Sequence, residues 1–209
     1  QVRTALAEKE MLLRELNHRT KNNLNIVASL IHLQAEASDN KQFRALAETL
    51  ENRIRSIAQV HQMLYRAPDL SQVNLEEYTH RLVENLVSGL MVSRANIDIE
   101  LDSMPVYVGL NTAIPCGQII NELLSNAFKY AFPAGRKGRV TIQIHQAPDG
   151  EITIRVADDG VGFPPGYDET KATSLGITLI HLLASQLHGS LYFDIRQGVT
   201  CALRFKKDH

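Results

Sequence analysis

Residues 1–66 carry apolar positions on a helical period. Leu6, Leu13, Leu16, Thr20, Leu24, Val27, Ile31 and Gln34 recur at spacings of three, four or seven, and Phe43, Leu46, Leu50, Ile54, Ile57, His61 and Leu64 repeat the pattern. The polar segment Ala37-Ser38-Asp39-Asn40 between the two series reads as a helix stop, a turn and an N-cap. No glycine interrupts residues 1–66, so the pattern predicts an antiparallel helical hairpin. Each stripe is narrow, and two helices alone do not sequester both. Pairing two hairpins as a four-helix bundle does, which predicts a homodimer.

From about Val73 the period changes. A helix is expected at Leu75–Met91, with Leu75, Tyr78, Leu82, Leu86 and Leu90 on one face. Short strands follow at Ile97–Leu101 and Val106–Val108, then a long helix over Ile114–Ala131. Strands Arg139–His145 and Ile152–Ala157 flank Ala147-Pro148-Asp149-Gly150, a strong hairpin signal. A glycine-rich loop leads to a helix near Leu175–Leu187, and a last hairpin joins Ser190–Ile195 to Val199–Phe205 through Gln197-Gly198. This order suggests an α+β two-layer sandwich with helices on one face of a mixed sheet. Pro68, Asp69 and Ser71 cluster in the junction Arg66–Val73, so the expected domains are 1–68 and 73–209.

Composition narrows the function classes. At 44% hydrophobic and 22% charged residues the chain has the makings of a packed core. Its 22 basic and 23 acidic residues give a net charge of −1, with no basic footprint for nucleic acid. Cys116 and Cys201 lie in apolar stretches and read as buried hydrophobes in a reducing compartment. No apolar run approaches the roughly 20 residues that span a bilayer. The chain reads as helical from residue 1, the mark of a fragment or a processed chain, and the expected location is cytoplasmic. His32, His61, His181 and His188 are too scattered for a zinc site.

Three segments of the second half carry candidate chemistry. In Asn121-Glu122-Leu123-Leu124-Ser125-Asn126-Ala127-Phe128-Lys129-Tyr130, Glu122 and Asn126 are four residues apart on one helix face, and Lys129 follows a turn later. In Asp158-Asp159-Gly160-Val161-Gly162 a strand ends in an acid followed by two glycines, which let backbone approach a ligand; such turns also close ordinary hairpins. In Thr173-Ser174-Leu175-Gly176 a small polar residue stands where it can cap a helix N-terminus, a natural phosphate site. There is no Walker A sequence.

Taken in order, the three segments resemble the N, G1 and G2 boxes of the Bergerat-fold (GHKL) ATPases, the superfamily that includes gyrase, MutL and the histidine kinases. The resemblance covers about residues 73–206. It implies that Asn126 holds Mg²⁺ with Glu122 beside it, and that Asp158 receives the adenine amino group. It further implies that Gly160 and Gly162 line the base pocket, and that Lys129 and Tyr130 approach the nucleotide. Ser174, Leu175 and Gly176 then belong to the phosphate end, and Thr200 after Gly198 resembles the family's late Gly-x-Thr behind the adenine. Two departures stand out. Only a dozen residues separate Gly162 from Leu175, and the third box has one glycine.

In the first half, Leu16-Asn17-His18-Arg19-Thr20-Lys21-Asn22 sets His18 about 200° round a helix from Leu16, on the outward side. Glu15 and Asn22 lie at i−3 and i+4 on the same face. A lone outward histidine is usually a solvated surface residue. The surrounding run resembles the H box of the HisKA_2/HWE-type histidine kinases, in their H-R-x-x-N form, over roughly residues 8–66. The resemblance makes His18 the phosphoacceptor and implies ATP, Mg²⁺, a response-regulator receiver as partner, and a sensor domain upstream in a longer protein. Where many other histidine kinases follow the histidine with an acid, this chain has Arg19. That leaves Glu15 and Glu122 as candidate bases, with Arg19 an alternative clamp on the transferring phosphate. A receiver phosphatase, with Asn22 positioning a water, and an ATP-regulated scaffold are the competing readings.

Overall fold

The computed structural model describes residues 2–64, 72–89, 96–163 and 175–207. The chain divides into two compact units, Gln1–Pro68 and Asp69–His209.

The first unit is a helical hairpin of α1 (Val2–Glu36) and α2 (Lys41–Leu64). Its turn follows from local chemistry. The last carbonyls of α1 are taken by the N–H groups of Ala37 and Ser38. Asn40 Oδ1 then accepts from the N–H groups of Gln42 (2.9 Å) and Phe43 (3.2 Å), the bonds of an N-cap that satisfies orphan donors at the start of α2. Ala28, Ala47, Ala58 and Val60 are buried, so small side chains line much of the seam. His32 Nδ1 lies 3.2 Å from Glu51 Oε2 across the hairpin, and Arg55 holds the Glu51 carboxyl below its ordinary range by a 2.7 Å hydrogen bond. Of the expected stripe, Val27, Phe43 and Leu46 are exposed, together with Ile26, Leu30 and Leu33. A two-helix hairpin has one seam, and these residues fall off it. The side chains of Leu6, Leu13, Leu16, His61 and Leu64 lie outside the described residues.

The second unit is the expected two-layer sandwich. Its five-stranded sheet has the order β2-β4-β5-β7-β6, from β2 (Ile97–Ser103), β4 (Gly138–Gln146), β5 (Glu151–Asp158), β6 (Ser190–Asp194) and β7 (Val199–Lys206). β2 and β4 are parallel and every other pair is antiparallel. The two-residue alternation gives the sheet two unlike faces. Val140, Ile142, Ile144, Ile152, Ile154, Val156, Cys201, Leu203 and Phe205 are buried on one face. On the other, Arg139 pairs with Asp98 (3.2 Å) and Glu100 (3.4 Å), and Arg155 donates to Gln143 (2.9 Å). Burying each large aliphatic side chain contributes about 1.5–3 kcal/mol.

Against the apolar face stand α3 (Leu75–Gly89), α4 (Leu110–Asn126) and α5 (Leu175–Gln186). Leu75, Tyr78 and Leu82 are buried as the periodicity predicts, while Leu90 and Met91 lie outside the described residues. β3 (Tyr107–Val108) does not join the main sheet; it pairs with β1 (Val73–Asn74), a strand the pattern does not predict. α4 differs from expectation at both ends. It begins four residues early, with Pro115 inside rather than at its start, and its α-helical part stops at Asn126. Residues Ala127–Ala131 then form a π-helical turn. Cys116 and Cys201 are free and buried, and burial pushes the Cys201 thiol up to about 12.

Candidate nucleotide site and phosphoacceptor helix

β5 delivers Asp158 as its last residue, and the alternation that buries Ile152, Ile154 and Val156 puts Asp158 on the helix-facing row. Its Oδ1 accepts from the N–H of Gly160 (2.9 Å) and of Val199 (3.3 Å), and neither bond uses Oδ2. Partial burial raises the carboxyl above its ordinary value, and the two backbone bonds oppose that shift. Oδ1 is anchored, and among the described residues no hydrogen bond engages Oδ2.

The loop after Asp158 packs on the end of the α4 segment. Val161 N–H donates to the carbonyl of Ala131 (3.0 Å). A Cβ on Gly160 would fall 2.6 Å from that same oxygen, so only glycine allows this approach. Gly162 has φ +70°, a conformation that side chains rarely adopt. The structure therefore brings the first two predicted segments together through Ala131, Gly160 and Val161.

Asn126 closes the α-helical part of α4 and is half-buried, whereas Glu122 one turn earlier is only 7% exposed. Lys129 and Tyr130 project from the π turn and are exposed. The π turn adds backbone between Asn126 and Lys129, so Lys129 does not follow at α-helical spacing; π turns of this kind recur at functional sites. α5 opens at Leu175, which is exposed, and Gly176 is buried in its first turn. Ser174 and Thr173 lie outside the described residues.

Thr200 stands one residue from the position that pairs with Asp158. Register pairs it with Ala157, on the face away from the helices, where its hydroxyl accepts from Arg155 at 3.4 Å. The residue opposite Asp158 is Val199, and a one-residue offset in a strand reverses the face. Thr141, Ala157 and Thr200 share a row in the lining of a cavity of about 450 Å³, which Arg139, Arg155, Asp158 and Asp159 also line. That row belongs to the polar face of the sheet, opposite the row that carries Asp158.

In the hairpin, His18 lies on the continuous helix α1, and its side chain falls outside the described residues. Arg19 Nε donates to Glu15 Oε1 at 2.8 Å, so the candidate base and the candidate clamp neutralise each other one turn apart. Asn22 is exposed. Among the described residues no three His, Cys, Asp or Glu side chains cluster as metal ligands. No described helix is long and apolar enough to cross a membrane.

Two family models match the chain in tandem. Residues 15–90 match HisKA_2, described as histidine kinase, and residues 111–209 match the histidine kinase-, DNA gyrase B-, and HSP90-like ATPase family. The chain belongs to the histidine kinases. It is 37% identical over 190 residues to the sensor histidine kinase PdtaS of Mycobacterium tuberculosis, covering 90% of this chain and 37% of that protein. It is 26% identical over 205 residues to blue-light-activated histidine kinase 2 of Erythrobacter litoralis, covering 92% of this chain and 55% of the relative. Among solved structures, the histidine kinase domain of a blue-light-activated kinase from Erythrobacter litoralis superimposes with a TM-score of 0.68 at 22% identity, over 96% of this chain and 93% of that one. The chain thus spans little more than a third of the length of its PdtaS relative. The HisKA_2 match runs past the hairpin to the end of α3.

Sequence reasoning missed the π turn and the contact of Ala131 with Gly160. The only available signal was the run Ala127-Phe128-Lys129-Tyr130-Ala131, whose composition suits an α-helix equally well.

Proposed function

We propose that this chain is the kinase core of a sensor histidine kinase, which binds ATP in the second unit and transfers its γ-phosphoryl group to His18. The observation that carries the reading is Asp158, half-buried, with Oδ1 fixed by two backbone N–H groups and Oδ2 without a hydrogen bond among the described residues. An exocyclic amino group is the natural donor for such an oxygen, and adenine presents one. Domain boundaries of 1–68 and 73–209 follow the division of labour.

Asn126 fits Mg²⁺ as a hard oxygen ligand. This ion takes one or two protein oxygens and completes its shell with water and phosphate oxygens. Glu122, one turn away, is the second candidate. When bound, Mg²⁺ neutralises charge on the phosphates. Lys129 adds a cation at the exposed edge, and the start of α5 offers backbone N–H groups to phosphate oxygens. Catalysis in phosphoryl transfer is mainly positioning and charge neutralisation.

At His18 a neutral imidazole nitrogen attacks the γ-phosphorus. The new N–P bond forms as the bond to the bridging oxygen breaks, and its electron pair leaves with ADP. The ring then loses the proton on its other nitrogen to a base, for which Glu15 and Glu122 remain the candidates. Glu15 serves only if its bond to Arg19 opens. The phosphoramidate passes its phosphoryl group to an aspartate of a receiver domain. The exposed apolar residues of the hairpin suit a second copy, and the setting is the cytoplasm, with a sensor domain supplied by a longer chain.

The nucleotide half is tested by equilibrium binding of ATP with Mg²⁺. Asp158→Ala and Asn126→Ala are expected to weaken binding at least about tenfold, the cost of a lost bond to a charged group. Parental affinity in Asp158→Ala would overturn the adenine assignment. A scaffold that uses ATP only as a conformational ligand would bind normally and form no phosphohistidine.

A further inference from the structure

We infer that Asp159 is a positioning residue, which holds Asp158 where it discriminates the adenine amino group. The inference rests on the adenine reading of Asp158 and extends it to a neighbour that does not touch the nucleotide.

Three elements meet beside Asp158: the end of the π turn, the start of β4 and the loop after β5. Asp159 fastens the loop to β4 on both sides of its peptide unit. Its N–H donates to the carbonyl of Arg139 (3.1 Å), and its Oδ1 accepts from the N–H of Arg139 (2.7 Å). Arg136 Nη2 donates to the Asp159 carbonyl (2.9 Å). The neighbouring Gly138 makes room for this clamp. A Cβ there would stand 2.5 Å from Asp159 Oδ1 and would also collide with the ring of Phe132, which is buried directly after the π turn. On the far side of Asp159, Gly160 and Val161 close onto Ala131.

Asp158 is therefore suspended between the β5–β7 ladder and a loop pinned at Arg136, Arg139 and Ala131. The first group of the nucleotide site, Asn126, begins the segment that ends at Phe132. The junction thus sets the spacing between the residue that meets the base and the residue that meets the phosphates. Asp159 is exposed, so its carboxylate adds little to the core. Its contribution is geometric, and a lost pin is expected to blur recognition before it unfolds the domain.

The test compares binding of ATP with that of its analogue lacking the 6-amino group, purine riboside triphosphate, both with Mg²⁺. The parent chain is expected to prefer ATP by roughly 10- to 100-fold, the range for one hydrogen bond to a charged group. Asp159→Ala is expected to bring that ratio toward unity by weakening ATP while leaving the analogue nearly unchanged. Asp159→Asn retains the Oδ1 acceptor and is expected to keep the ratio within about twofold. Gly138→Ala, which crowds both Asp159 and the Phe132 ring, is expected to lower the ratio as well. A parent without preference for ATP would sink the adenine reading itself. A discriminating parent whose ratio survives Asp159→Ala, or an Asp159→Asn variant that loses it, would overturn the role assigned to Asp159. Equal weakening of both ligands would reduce Asp159 to a structural residue.

Discussion

The two units bury their apolar residues to very different degrees. In the ATPase unit, Ile142, Ile144, Ile152, Ile154 and Leu203 are fully buried between sheet and helices, and the apolar face of the sheet has a partner along its length. In the hairpin the described buried side chains are Ala28, Ala47, Ala58 and Val60, while Ile26, Val27, Leu30, Leu33, Phe43 and Leu46 meet solvent. One unit completes its core within the chain. The other presents an apolar surface that a second chain can cover, as expected of a phosphoacceptor that works in a bundle.

The largest test of that contrast is to charge the exposed stripe. Leu30→Asp with Phe43→Asp removes about 1.5–3 kcal/mol of burial per side chain in each copy, so the dimer is expected to weaken by at least about 100-fold. Sedimentation across concentrations reads the change, and a parent that stays monomeric throughout would break the comparison. Next is the self-sufficient core. Ile142→Ala is expected to cost about 2–5 kcal/mol in denaturant unfolding, independent of protein concentration. A concentration-dependent midpoint would show that the ATPase unit, too, leans on a partner.

Asp158 sharpens the contrast through pH. Its folded pKa is raised by burial, so the stability it contributes is present below the ordinary aspartate value and lost as pH rises through the raised one. At neutral pH, Asp158→Asn is therefore expected to melt no lower than the parent while ATP affinity falls. In the parent, ATP affinity is expected to decline with acid at a higher pH than an ordinary aspartate would dictate. Smaller still is Asn40→Ala, which loses two cap bonds and is expected to cost the hairpin about 1 kcal/mol, with Asn40→Asp retaining most of it. Smallest is Arg19→Ala, where an exposed pair contributes about 0.2–0.5 kcal/mol; thermal melts should barely move.

Where chemistry is local, sequence was enough. The Asn40 cap, the hairpin through Ala147–Gly150 and the strands beside it fall within a residue or so of their expected places, because a few adjacent side chains decide them. Asp158 and Gly160 stood out for the same reason. Features set by tertiary packing were not legible. α4 starts four residues before its expected place and carries Pro115 within it, among residues that are buried. The π turn forms where Ala131 must meet Gly160, a contact 29 positions distant in sequence. The face that Thr200 takes was not legible, because the strand pattern fixes which positions alternate but not which of them faces the helices. The strand-end motif gave no sign of the bonds that tie Asp159 to Arg139.

The most direct test is phosphorylation itself. The chain is incubated with γ-labelled ATP and Mg²⁺ beside His18→Ala and Asn126→Ala, and the label is tested for acid lability. An acid-labile label on the parent, absent from both variants, is the predicted result. A label that survives in His18→Ala, or a parent that binds ATP and takes up none, would contradict the account.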